Sequence, residues 1–125
     1  MSKPQNIIAV VDDDPQVCES LKTLLSSYGY DAETFTSAET FLARASTCRA
    51  FCLIVDFHLG DITGVELARQ LAADGFKFPI IFMTGHRDVS IERQAFDVGG
   101  LAFLYKPFPA TTLIDAIKKA AGQKR

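Results

Sequence analysis

Five short apolar runs, each followed by a stretch with helical spacing, leave this chain few ways to fold. The runs are Ile7 to Val11, Ala32 to Phe35, Phe51 to Val55, Ile80 to Met83 and Leu101 to Tyr105. Each has the length of a strand, and between them apolar residues recur every three or four positions. Strands that run in the same direction need a long crossover, usually a helix. Such alternation through 125 residues, with no repeat, low-complexity tract or linker, predicts one α/β domain over 1–125. Its parallel sheet should be covered on both faces by five helices.

The helices carry their own punctuation. Asp14 reads as an N-cap and Pro15 as a first helical residue, where a missing N–H costs nothing. Val17, Leu21, Leu24, Leu25 and Tyr28 form the first stripe, which Gly29 closes. Ser37 caps a second helix that buries Ala38, Phe41, Leu42 and Ala45, and a third buries Leu67, Ala68, Leu71 and Ala72. A fourth, Ser90 to Val98, has only the weak stripe Ile91, Ala95 and Val98 and stops at Gly99-Gly100. The last buries Leu113, Ala116, Ile117, Ala120 and Ala121.

Composition excludes several classes. A 48% hydrophobic, 22% charged chain is that of an ordinary globular domain. No apolar run approaches the roughly 20 residues that cross a bilayer, and MSKPQN lacks a signal-peptide pattern. A cytoplasmic protein without a membrane partner is the expectation. The odd set Cys18, Cys48 and Cys52 fits free thiols in a reducing compartment. Net charge is −2, and basic residues are scattered apart from Lys118-Lys119 and Lys124-Arg125, so no direct nucleic-acid binding is expected.

In open parallel sheets ligands bind beyond the carboxyl ends of the strands. The residues there are Asp12 and Asp13 after the first strand, Asp56 after the third, Thr84 after the fourth and Lys106 after the fifth. Three carboxylates gathered at one edge repel by about 4 kcal/mol per close pair at an effective dielectric of 20. A cation removes that cost, and an all-oxygen ligand set points to Mg²⁺. A lysine and a threonine facing the same place suggest that the second ligand is an anion, as in a phosphoryl-transfer site. A carboxylate can itself be the nucleophile. Asp56, alone on its strand, is the best candidate.

These features resemble the receiver domain of two-component response regulators over essentially the whole chain. The Asp12-Asp13 pair, Asp56 with Gly64 eight residues on, Thr84-Gly85 and Lys106-Pro107-Phe108 agree in order and spacing. SAETFLA at 37–43 and TGHRDV at 84–89 resemble the FixJ-like branch, whose full-length members carry a LuxR-type helix-turn-helix. The resemblance implies a flavodoxin-like doubly wound sheet in the order 2-1-3-4-5, and a histidine kinase as phosphoryl donor to Asp56. It implies Mg²⁺, with Mn²⁺ as the alternative ion, held directly by Asp13 and Asp56, through water by Asp12, and by the main-chain carbonyl of His58. Lys106 would hold a phosphoryl oxygen, Thr84 would move toward the phosphate, Phe103 would be the switch aromatic, and the bond before Pro107 would be cis. Gly60 stands where many members have proline, which should loosen that loop. His58 and His86 occupy positions that vary in the family and tune loss of the phosphoryl group.

The favoured function is a signalling switch, not an enzyme acting on a separate substrate, with output through the face of the fourth helix, fifth strand and fifth helix toward a second copy or a downstream protein. A stand-alone phosphotransfer intermediate or phosphate sink is the alternative. An aspartyl-phosphate phosphatase of the haloacid dehalogenase type is disfavoured, because His58 stands where that class needs an acidic residue. A flavin binder is disfavoured by acids where FMN phosphate would sit. A zinc or iron site using His58 and His86 with a carboxylate is conceivable but ranks below Mg²⁺.

Overall fold

The computed structural model describes residues 6–122; the remainder, including most of MSKPQN and the pair Lys124-Arg125, lies outside the described residues. Five strands, β1 (Ile7–Val11), β2 (Asp31–Phe35), β3 (Cys52–Asp56), β4 (Ile80–Thr84) and β5 (Ala102–Tyr105), alternate with five helices. The helices are α1 (Pro15–Ser27), α2 (Ala38–Arg44), α3 (Gly64–Ala73), α4 (Val89–Asp97) and α5 (Ala110–Gly122). All pairings are parallel and the strand order is β2-β1-β3-β4-β5, as expected. No helix among the described residues is long and apolar enough to cross a membrane.

The period of two along each strand sends alternate residues into two separate cores. Ala9, Val11, Leu53, Val55, Ile80 and Phe82 pack under α2, α3 and α4. Ile8, Val10, Cys52, Ile54, Ile81 and Met83 pack under α1 and α5. Because the three inner strands are covered on both sides, they read as unbroken apolar runs.

Local chemistry sets the helix starts. Asp14 accepts a hydrogen bond from the Gln16 N–H with Pro15 following, and Ser37 accepts one from the Thr40 N–H. Thr63 and Glu66 form a reciprocal capping box on α3, and Asp88 caps α4.

Some expected positions differ. Ala72 is exposed, since α3 turns it away from the sheet, and Tyr28 is 46% exposed because it is the C-cap of α1 rather than part of its stripe. Cys18 and Ile114 are buried in the α1–α5 core instead. The third strand starts at Cys52, not Phe51, and runs on through Asp56, which stays in register with Met83. The fourth likewise runs through Thr84, in register with Tyr105.

Candidate functional site

Parallel strands in register deliver their last residues to one edge, and that edge carries the chemistry. Asp12 leaves β1 with its N–H on the Phe35 carbonyl at 3.0 Å; its carboxylate is only 1% exposed. One of its oxygens accepts from the Asp14 N–H at 2.9 Å and the other from Lys106 Nζ at 3.0 Å. The tight turn that opens α1 therefore also orients Asp12. Asp13, next to it, is exposed, and Asp56 at the end of β3 is buried.

Carboxylate oxygens of Asp12, Asp13 and Asp56 all lie within 4.8 Å of one another. Such a cluster of hard oxygen donors, part buried and part open, could hold a divalent cation. Burial pushes the Asp56 carboxyl up to about 6; the charges of Asp12 and Asp13 act in the same direction, and Lys106 opposes them. Lys106 Nζ lies 3.6 Å from Asp56 as well as 3.0 Å from Asp12. Burial disfavours its charge, but the hydrogen bond to Asp12 and the charges of both aspartates prevail, so its pKa is raised and it stays an ammonium.

Thr84 is completely buried at the end of β4. Its hydroxyl oxygen accepts from the His86 N–H at 3.1 Å, which caps the turn, and its carbonyl accepts from the Lys106 N–H at 2.8 Å. Among the described residues nothing accepts from the hydroxyl, which leaves its hydrogen for an anion. The Lys106–Pro107 bond is cis. An apolar recess lined by Val17, Leu21, Leu24, Met83, Pro107 and Phe108 opens beside Lys106.

The loop after β3 is tied down at both ends. The Gly64 N–H donates to the Phe57 carbonyl at 2.7 Å, the Leu59 N–H donates to the Ile62 carbonyl, and His58 bridges Thr63. Gly60 has φ +89°, a left-handed conformation closed to proline, whose ring fixes φ near −65°. The glycine is thus required by the path of this loop, and the expected looseness is countered by those hydrogen bonds.

Sequence reasoning singled out Asp12, Asp13, Asp56, Thr84 and Lys106, and the fold brings all five to one edge. Phe103 lies apart from them: it packs toward the α2–α4 core and meets Tyr105 edge-on at 5.2 Å. Tyr105 was not anticipated as a link. Its hydroxyl donates to Glu92 of α4 at 3.0 Å, and the Arg87 guanidinium sits 4.4 Å above its ring. Nor was Cys18, whose thiol donates to the Asp12 carbonyl at 3.3 Å; its place three and seven residues before Leu21 and Leu25 was the available signal.

Known proteins share this fold and sequence pattern. A family profile described as a response regulator receiver domain matches residues 8–118. The response regulator protein TodT of Pseudomonas putida is 37% identical over 120 residues, an overlap of 96% of this chain and 53% of TodT. The transcriptional regulatory protein FixJ of Rhizobium meliloti is 38% identical over 114 residues, 91% of this chain and 56% of FixJ. The chain spans about half the length of these curated relatives. The crystal structure of FixJ-N superposes with a TM-score of 0.90 at 34% identity, covering 100% of this chain and 98% of that one. Full-length FixJ from B. japonicum superposes at 0.89 with 35% identity, over 94% of this chain and 58% of that one.

Proposed function

Because this chain belongs to the response regulator receiver domain family of two-component signalling, we propose that it is a phosphorylation-dependent switch whose phosphoacceptor is Asp56. The observation that carries this reading is the convergence of one lysine on two carboxylates, with Lys106 Nζ 3.0 Å from Asp12 and 3.6 Å from Asp56, beside a buried threonine hydroxyl. We take residues 1–125 as one receiver unit.

A carboxylate oxygen of Asp56 attacks the phosphorus of a phosphohistidine on the donor kinase; the new O–P bond forms as the P–N bond breaks, and the imidazole leaves with the electron pair. With a pKa of about 6 before any cation binds, Asp56 is mostly ionised at neutral pH and can act as that nucleophile. Lys106 neutralises charge on the transferring group, and the Thr84 hydroxyl can donate to another of its oxygens. Asp13, Asp56 and the main-chain carbonyl of His58 would hold Mg²⁺, or Mn²⁺ in its place. Both oxygens of Asp12 are already engaged, which supports a water-mediated role for that residue. Bound there, the cation would supply charge neutralisation for the phosphoryl oxygens.

Output follows from the neighbours of Thr84. Its register partner is Tyr105, which touches Phe103, Glu92 and Arg87, so movement of Thr84 reaches α4 and β5 directly. We place the signalling surface on α4, β5 and α5, with a second copy or a downstream protein as its partner. The names of the relatives favour transcriptional control over a stand-alone phosphate relay.

The test is incubation with acetyl phosphate and Mg²⁺ followed by intact mass. Wild type should gain one phosphoryl group and Asp56→Asn none. A wild type that binds Mg²⁺ yet gains nothing would overturn the switch, and an adduct that survives in Asp56→Asn would move the acceptor elsewhere.

A further inference from the structure

His58 and His86 stand two residues beyond Asp56 and Thr84 on neighbouring loops, and their rings meet at 4.7 Å between centroids with planes 76° apart. Both are exposed. Neither imidazole makes a hydrogen bond or ion pair among the described residues, so their ring nitrogens are free.

We propose that His58 and His86 form a second metal site, a nitrogen-donor pair that takes a divalent transition-metal ion of the Ni²⁺ or Zn²⁺ class. Two imidazoles on one such ion, with metal–nitrogen bonds of about 2.0–2.1 Å, have ring centres roughly 4.5–5 Å apart. The observed spacing already falls in that range. Imidazole selects these ions over Mg²⁺, whereas the neighbouring carboxylates prefer the reverse. Among the described residues only Asp12, Asp13 and Asp56 form a group of three possible ligands, so the histidine pair is a bidentate site completed by water and distinct from the oxygen cluster.

Both ligands are pre-positioned by backbone they do not share. His58 is held by its bridge to Thr63 and by an edge-on contact of its ring with Phe57 at 4.8 Å. His86 is held by its N–H on the Thr84 hydroxyl. The main chain at both positions is therefore fixed, and rotation of the side chains alone presents the ring nitrogens to an ion.

Calorimetric titration of untagged protein with Ni²⁺, in a large excess of Mg²⁺ to fill the carboxylates, tests the site. One ion per chain is expected, with affinity falling about tenfold or more in His58→Gln and in His86→Gln. Cys48→Ser should bind as wild type does. Circular dichroism on both histidine variants confirms that they fold. Absence of Ni²⁺ binding, histidine variants that bind like wild type, loss of binding in Cys48→Ser, or displacement of Ni²⁺ by Mg²⁺ would each overturn the assignment.

Discussion

A Cβ atom placed on Gly64 would lie 2.7 Å from the main-chain carbonyl oxygen of Asp56, closer than a carbon and an oxygen in van der Waals contact come. It would also come within 2.9 Å of Val55 Cγ1, so neither backbone nor core can yield cheaply. Gly64→Ala is expected to cost about 1–3 kcal/mol in urea unfolding and to slow phosphoryl uptake by displacing the end of β3. An alanine variant with wild-type stability and uptake would show that α3 can slide away from β3.

Lys106 is the counter-charge for the buried carboxylate of Asp12. Its replacement leaves that carboxylate without its charged partner, and Lys106→Met should destabilise the metal-free protein by about 1–3 kcal/mol. Asp12→Asn in the Lys106→Met background should restore part of the loss, because the uncompensated charge is then gone. The comparison is a double-mutant cycle in urea. Additive effects would mean that the 3.0 Å contact contributes no coupling.

Burial raises the Asp56 carboxyl from 3.8 to about 6, so across that window the folded protein retains a proton that the unfolded chain has released. The contribution of Asp56 to the stability of the metal-free protein therefore falls as pH rises from about 4 to 6, and the loss persists above that range. The full shift corresponds to up to about 3 kcal/mol. Asp56→Asn should be more stable than wild type at neutral pH, with the difference vanishing near pH 4. Urea midpoints at the two pH values measure this, and parallel profiles for the two proteins would refute it.

The three thiols should react slowly in the folded protein. Burial pushes Cys52 up to about 12, and burial followed by the charge of Asp12 raises Cys18. Cys48, half-buried and also raised chiefly by burial, should be the first to alkylate at mildly alkaline pH. Peptide mapping after timed iodoacetamide treatment reads the order; rapid labelling of Cys52 in native conditions would show that β3 opens locally.

Much of this was legible in the residues because it is local. Period-two and period-3.6 patterns are properties of a single element, so the strands, the helices and most of their buried faces follow from short windows. The Asp14 cap is local too, which is why VVDDDP divides cleanly into two site carboxylates and one helix start. The misplacements, Ala72 and Tyr28, fall near helix ends, where exposure depends on what packs alongside.

Everything measured between elements was decided by tertiary structure. That Asp12, Asp13, Asp56, Thr84 and Lys106 come from the ends of four different strands can be read along the chain. That Lys106 reaches Asp12 at 3.0 Å and Asp56 at 3.6 Å, that burial lifts the Asp56 carboxyl, and that Tyr105 links Thr84 to α4 cannot. Lys106 and Asp12 are 94 residues apart, and the pairing of β1, β3, β4 and β5 sets the distance between them. By itself the sequence determined which chemical groups would meet, because alternation assigns each one to a strand end; the sheet determined how close they stand and how dry they are, and on those two quantities electrostatic interaction depends.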